Sequence, residues 1–141
     1  MAHVSTYLNF ERSTEEAFTF YKSVFGTEFI GGIMRHGDVP GAELPEEDKQ
    51  LVMNVALPIL SGHVLMATDT PKSMGMELHQ GNNMQIALHP DTRSEADALF
   101  AALSAGGEPG TTMQEMFWGD YYGDLVDKFG VHWLINCASS S

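Results

Sequence analysis

The sequence predicts an α+β fold in which two modules follow one another, each made of a strand, a helix and three strands (βαβββ). Three observations predict it. A strand-like segment followed by an amphipathic helical pattern occurs twice, the last strand-like segments of the two halves are similar, and turn residues separate the strand-like segments. We predict a single domain over residues 1–141, with module one at about 1–75 and module two at about 76–141.

The first half opens with a strand-like segment and a helix. Residues 3–10 read "HVSTYLNF" and residues 13–26 read "STEEAFTFYKSVFG". Ser13 or Thr14 can cap the helix, two glutamates occupy its first turn, and Gly26 can end it. We therefore predict a helix near 13–25, with an apolar face formed by Ala17, Phe20, Tyr21, Val24 and Phe25.

The same order returns in the second half. Residues 83–90, "NMQIALHP", are strand-like, and residues 91–107, "DTRSEADALFAALSAGG", have a helical pattern. A shift of 79 aligns the two helices, so that Tyr21 meets Phe100. The second helix is predicted near 93–105, with an apolar face of Ala96, Leu99, Phe100 and Leu103.

The ends of the halves also match, with a shift of 68 that aligns "GHVLMATD" (62–69) with "GVHWLINC" (130–137). The smaller shift means that the first half holds eleven extra residues, which we place in the polar segment 36–50. The remaining strands are predicted near 28–36, 51–59 and 63–68, and near 107–116, 117–126 and 131–137. Imperfect alternation in 117–126 suggests a bulge at Gly119 or Gly123.

Composition and charge narrow the function classes. Nineteen acidic and seven basic residues give a formal net charge of −12, and Lys and Arg form no cluster, which disfavours nucleic acid as a partner. Neither a basic-then-apolar leader nor an apolar run of the roughly 18 residues that a membrane span needs is present, so no membrane partner is expected. The one cysteine, Cys137, favours a reducing compartment, and we expect a cytoplasmic protein.

Five segments, which together cover nearly the whole chain, carry a resemblance to a known family. They are "YLNF", "EEAFTFYKSVFG", "GHVLMATD", "EADALFAALSAGG" and "FWGDYYGDLVDKFGVHW". They resemble PhnB-like proteins of the vicinal oxygen chelate superfamily, which includes glyoxalases, extradiol dioxygenases and bleomycin-resistance proteins. The resemblance implies eight strands in curled mixed sheets around a cavity, and a homodimer.

Some PhnB-like proteins carry the label demethylubiquinone methyltransferase, and the residues do not support that activity here. A Rossmann-type methyltransferase needs a parallel sheet and a Gly-rich loop after its first strand, and the sequence predicts neither.

The resemblance also implies where a divalent metal would bind, on the first and last strands of each module. The internal alignment puts these positions at Thr6, Gln85, Met66 and Leu134. Only Gln85 offers a suitable donor, since Leu134 cannot ligate and the thioether of Met66 suits Cu(I). We therefore predict no family-type metal site and no cofactor, with a divalent metal as the less favoured alternative.

The segment "FWGDYYGD" (117–124) supplies the main candidate ligand contacts. In a strand, Trp118, Asp120, Tyr122 and Asp124 share one face, and large rings beside carboxylates suit an open face better than a sealed core. The predicted ligand-binding residues are Trp118, Tyr122, Tyr121, Gln85, His89 and Met66, and no catalytic residue is assigned. As an alternative, Trp118 and Tyr122 fill a dimer interface.

Three functions compete for this chain. The favoured one is a small-molecule-binding protein with an aromatic-lined cavity and no family-type metal site. The second is a metal-dependent lyase, isomerase or dioxygenase, which the resemblance permits but fold alone does not establish. The third is a structural or regulatory dimer without a small ligand. We also expect a homodimer because each module leaves an edge strand open, and open edges are normally covered.

Overall fold

A computed structural model describes residues 2–139. The chain divides into two compact units, of which the first ends at His79 and the second begins at Gln80. Both have the α+β organisation of a strand followed by a helix and further strands. None of the helices in this described range is long and apolar enough to span a membrane.

The first unit holds a four-stranded mixed sheet in the order β1-β4-β3-β2. β1 runs parallel to β4, and the other neighbours are antiparallel. Its elements are β1 (Thr6–Phe10), α1 (Thr14–Phe25), β2 (Met34–Arg35), α2 (Glu46–Lys49), β3 (Val52–Pro58) and β4 (Val64–Asp69).

The second unit repeats this plan with a sheet in the order β5-β9-β8-β6, in which β7 also pairs with β8. β5 is parallel to β9, and the other pairs are antiparallel. Its elements are β5 (Ile86–Leu88), α3 (Arg93–Ser104), β6 (Glu108–Pro109), β7 (Gln114–Glu115), β8 (Tyr121–Val126) and β9 (His132–Cys137).

The internal repeat is confirmed for the helices and the last strands. A shift of 79 carries α1 onto α3 at both ends, and a shift of 68 carries β4 onto β9. The first strands correspond with a shift that is one residue larger than that of the helices. Thr6 pairs with Leu65, and Ile86 pairs with Trp133, which is the residue equivalent to Leu65 in the second unit. The sequence alignment of Thr6 with Gln85 was therefore wrong by one position.

Three predicted strands are shorter than expected. The strand predicted near 28–36 contains only β2, since Gly31 and Gly32 adopt left-handed φ angles of 75° and 86°, which interrupt an extended chain. The strand predicted near 107–116 divides into β6 and β7, and the one predicted near 117–126 begins only at Tyr121.

Each helix packs on one side of its sheet. In α1 the buried residues Thr14, Ala17, Phe18 and Tyr21 follow helical spacing, whereas Phe20, Val24 and Phe25 of the predicted face are partly exposed. α1 contacts β3 and β4, and α3 contacts β8 and β9. We call the sheet side opposite the helix the open face, and its residues alternate along the strands with the buried ones.

Candidate functional site

The open face of the second sheet carries most of the polar residues that the sequence predicted to bind a ligand. Trp133, Ile135 and Leu125 are buried towards α3, so their neighbours in the strands lie on the open face. Pairing aligns those neighbours across the sheet, with Leu134 opposite both Ala87 and Asp124, and Asn136 opposite Tyr122. Gln85 and His89 flank β5 on the same side by alternation, and both are exposed. The open face thus gathers Gln85, Ala87, His89, His132, Leu134, Asn136, Tyr122, Asp124 and Val126.

Five of the six predicted site residues fall into three groups in the structure, and Trp118 lies apart from them. Gln85, His89 and Tyr122 share the open face of the second sheet. Tyr121 lies on the helix side, where its hydroxyl donates to Asp97 Oδ1 at 2.6 Å. This hydrogen bond raises the pKa of Tyr121. Met66 belongs to the open face of the first sheet, with its Sδ 3.6 Å from the hydroxyl of Ser5.

Trp118 lies in a turn before β8 and not on the strand. The Met116 amide donates to the Asp120 carbonyl at 2.8 Å, and the Gly119 amide donates to the Met116 carbonyl at 2.9 Å. Gly119 has a φ of 98°, which favours glycine. The prediction that Trp118 shares a strand face with Tyr122 is therefore wrong, because the chain turns between them.

The carboxylates beside the aromatic rings are hydrogen-bonded within the protein. Asp120 accepts from Asn136 Nδ2 at 3.0 Å and from the Ser139 amide at 2.9 Å. These donors, the Asn136 amide first, hold the pKa of Asp120 below its usual value. Asp124 accepts from the Thr111 amide at 2.7 Å and from the Tyr122 hydroxyl at 2.9 Å. Burial and then Asp124 raise the pKa of Tyr122. The donors to both carboxylates are neutral groups, so they bring no positive charge to this part of the sheet.

Gly123 lies where the neighbouring chain bulges towards β8. The register of β8 with β9 is regular, so the predicted bulge at Gly123 is wrong. The irregularity lies in the other neighbour of β8, between β6 and β7, where the Asp124 amide donates to the Thr111 carbonyl and the Gly110 amide donates to the Asp124 carbonyl. A Cβ on Gly123 would lie 2.5 Å from Met113 Sδ and 3.1 Å from the Thr111 carbonyl oxygen. Glycine therefore suits this close approach, because any side chain would require Met113 or the Thr111 carbonyl to shift.

Replacing Gly123 with Ala is expected to lower the free energy of unfolding by about 1–3 kcal/mol, because the added methyl group overpacks the bulge. Chemical denaturation measures the loss. Met113→Ala in the same chain provides the control, since removing the thioether relieves one of the two contacts. We expect the double variant to lose less than the sum of the single variants, and strict additivity would contradict the contact.

The residues at the metal positions do not fit a family-type divalent site. Thr6 Oγ1 lies 2.9 Å from His63 Nε2, but Leu134 cannot ligate and Met66 offers only a thioether. The correction of the alignment brings Ile86 to the position equivalent to Thr6, which adds no donor. Within residues 2–139, no group of three or more His, Cys, Asp and Glu side chains could hold a metal ion.

Comparison with known proteins places this chain in a family. Residues 2–136 match the family model described as 3-demethylubiquinone-9 3-methyltransferase. Protein PA1353 from Pseudomonas aeruginosa is similar in structure, with a TM-score of 0.86 and 28% identity over 99% of this chain and 100% of that one.

Two further solved structures share the fold. A putative 3-demethylubiquinone-9 3-methyltransferase from Bacillus cereus, a PhnB protein, has a TM-score of 0.78 and 24% identity over 97% of this chain and 100% of its own. A glyoxalase/bleomycin resistance protein/dioxygenase family enzyme from Burkholderia phytofirmans PsJN has a TM-score of 0.62 and 19% identity over 94% and 96% of the two chains. This chain belongs to the PhnB-like family of vicinal oxygen chelate proteins.

Proposed function

We propose that this protein binds a small molecule on the open face of its second sheet, without a metal of the kind that superfamily enzymes use. One observation carries the proposal: Gln85, His89 and Tyr122 gather on the side of the sheet that α3 does not cover. The amide of Gln85, the imidazole of His89 and the phenol ring of Tyr122 combine apolar area with a few polar groups, as ligand sites do.

The charge of this face favours a ligand that carries hydrogen-bond donors or a positive charge. Asp120 and Asp124 are held by neutral donors, and the chain has a formal net charge of −12. Arg93 is directed elsewhere, since it forms an ion pair with Glu115 at 2.8 Å and lies over the Tyr121 ring. A negative field of this kind raises the local concentration of cations.

Methyl transfer is not proposed, although the family model carries that description. In residues 2–139 each sheet contains one parallel strand pair, and its other pairs are antiparallel. A Rossmann-type methyltransferase would need a parallel sheet with a Gly-rich turn after its first strand.

A thermal-shift screen against neutral metabolites and small cationic compounds tests the proposal. A ligand at a hundredfold excess over its dissociation constant stabilises the folded state by about 2.7 kcal/mol, enough for a measurable shift. We expect His89→Ala and Tyr122→Ala to abolish the shift of a true ligand. His79→Ala is the matched control because His79 is an exposed histidine of the first unit. A shift that both site variants retain would contradict the proposed site.

Metal analysis separates this function from a metal-dependent lyase, isomerase or dioxygenase. Protein dialysed against metal-free buffer is measured for zinc, nickel, manganese and iron. We expect substoichiometric metal and an unchanged thermal shift after chelation. One tightly bound ion per chain would instead favour the metal-dependent alternative.

A further inference from the structure

Tyr122 lies on the open face of the second sheet, and the direction of its hydrogen bond is fixed. Its hydroxyl donates its one proton to Asp124 Oδ2 at 2.9 Å. An ionised carboxylate can only accept, so the phenol must be the donor of this pair. The raised pKa of Tyr122, caused by burial and then by Asp124, keeps the phenol protonated at neutral pH. The phenol oxygen therefore offers a ligand lone pairs but no proton.

The backbone beside β8 holds the Asp124 carboxylate in place. Asp124 Oδ1 accepts from the Thr111 amide at 2.7 Å, and the Asp124 amide donates to the Thr111 carbonyl at 2.9 Å. The Gly110 backbone packs so closely on the carboxylate that a Cβ at this position would collide with Asp124 Oδ1. The carboxylate cannot rotate away from Tyr122 without losing the Thr111 hydrogen bond, so Asp124 determines where the phenol proton goes.

Tyr122 lies in one row across the sheet with Asn136 and His89. Tyr122 pairs with Asn136, and the register of β5 with β9, continued by one residue, places His89 beside Asn136. Neighbouring strands are about 4.8 Å apart, so Tyr122 and His89 are about 10 Å apart. The Asn136 amide nitrogen donates to Asp120 Oδ2 at 3.0 Å rather than to the phenol oxygen. A short ligand can therefore contact both rings and place its own donor on the Tyr122 oxygen.

We propose that Tyr122 selects an organic cation that carries N–H donors, as a primary alkylammonium group does, and that Asp124 is its positioning residue. This inference rests on the small-molecule site proposed above and names the chemistry that the site recognises. An ammonium group donates to the phenol oxygen, and hydrogen bonds from charged donors are about twice as strong as neutral ones. A carboxylate or phosphate would instead set acceptor against acceptor, on a chain with a formal net charge of −12.

A matched series of probes separates the effect of charge from that of N–H donors. Dissociation constants for butylammonium, butyltrimethylammonium and butyrate are measured by titration of the whole protein, followed by NMR of its backbone amides. Butyltrimethylammonium has the same charge as butylammonium but no N–H group. We expect butylammonium to bind at least about tenfold more tightly than butyltrimethylammonium, because a hydrogen bond to a charged group is at stake. Butyrate should bind more weakly than both cations.

Asp124→Asn tests the positioning role with a side chain of the same shape. Its Oδ1 still accepts from the Thr111 amide, so its amide nitrogen faces the phenol oxygen and donates to it. The phenol proton is then available to a ligand. We expect butylammonium to bind at least about tenfold more weakly and butyrate to bind more tightly than to the wild type. A purely structural role for Asp124 would not reverse the preference in this way.

Asp97→Asn is the matched control. Asp97 accepts from the Tyr121 hydroxyl at 2.6 Å, which is a second Tyr–Asp pair, but it lies on the helix side of the sheet. The substitution removes the same charge as Asp124→Asn, and it should leave the order of the three probes unchanged. A similar reversal in both variants would show that net charge and not the Tyr122 hydrogen bond sets the preference, which would overturn the inference.

Three further results would overturn it: equal binding of the two cations, tighter binding of butyrate than of butylammonium, or no binding of butylammonium. The proposed function would survive these results if the metabolite screen gives a hit that needs His89 and Tyr122, and it would fail if no such hit exists. Circular dichroism checks the fold of the variants. If Asp124→Asn does not fold, Tyr122→Phe removes only the hydroxyl and must abolish the preference for butylammonium over butyltrimethylammonium.

Discussion

Replacing Asp127 with Ala is expected to lower the free energy of unfolding by about 4 kcal/mol, as measured by chemical denaturation. The carboxylate is only 3% exposed and lies in the turn between β8 and β9. It accepts hydrogen bonds from the Phe129 amide at 2.8 Å, the Val131 amide at 3.0 Å and the indole Nε1 of Trp133 at 2.9 Å. Each buried donor that loses its acceptor costs about 1–3 kcal/mol, and Trp133 is fully buried.

Two further variants control this prediction. Asp127→Asn keeps one oxygen acceptor and should lose about half as much stability as Asp127→Ala, because the amide nitrogen faces a donor. Asp91→Ala alters an exposed aspartate just before α3 and should change the free energy of unfolding by less than about 0.5 kcal/mol. Equal effects for Asp127→Ala and Asp91→Ala would show that the buried contacts are unimportant.

The sequence pattern was sufficient to predict the helices and the internal repeat that relates the two halves of the chain. The spacing of Ala17 and Tyr21, with Gly26 beyond them, defines α1, and the αL conformation of Gly26 ends it as expected. The internal repeat then predicted the positions of α3 and β9 from those of α1 and β4. These features depend on residues close in sequence, for which patterns are informative.

The central part of the motif at 117–124 was harder to predict, because its conformation depends on distant residues. Its alternation favoured a continuous strand through Trp118, but Asn136 and Ser139 hold Asp120 and allow the chain to turn before it. The sequence did contain one signal, since Gly119 between Trp118 and Asp120 can take the left-handed conformation that the turn uses.

The candidate site was predicted only in part. Placing Gln85, His89 and Tyr122 on one face needs the order of β5, β9 and β8 in the sheet, which the sequence analysis did not predict. Asn136 and His132 were missed as members of that face, although the alternation of buried Trp133 and Ile135 could have identified them. Tyr121 was assigned to a ligand from composition, whereas its hydroxyl contacts Asp97 of α3 across the helix side.

The start of α1 illustrates the same dependence on distant residues. Ser13 or Thr14 was predicted to cap the helix, yet the N-cap residue is Ser13, whose side chain forms no capping hydrogen bond, and Thr14 is the first residue of the helix. Asp69, at the end of β4, takes that role: its Oδ1 accepts from the Thr14 amide at 3.0 Å and its Oδ2 from the Val52 amide at 2.8 Å. In the second unit the equivalent position is Cys137, and α3 is capped locally by Thr92, whose hydroxyl accepts from the Glu95 amide at 3.1 Å.

This difference predicts unequal costs for removing the two caps. Asp69→Ala should lower the free energy of unfolding by about 3 kcal/mol, because it leaves two buried amides, of Thr14 and Val52, without an acceptor. Thr92→Ala should cost about 1 kcal/mol, as the loss of an ordinary N-cap does, since water can reach the exposed Glu95 amide. Chemical denaturation of both variants measures the difference. Equal losses would mean that Asp69 acts as a local cap only and does not join α1 to β3.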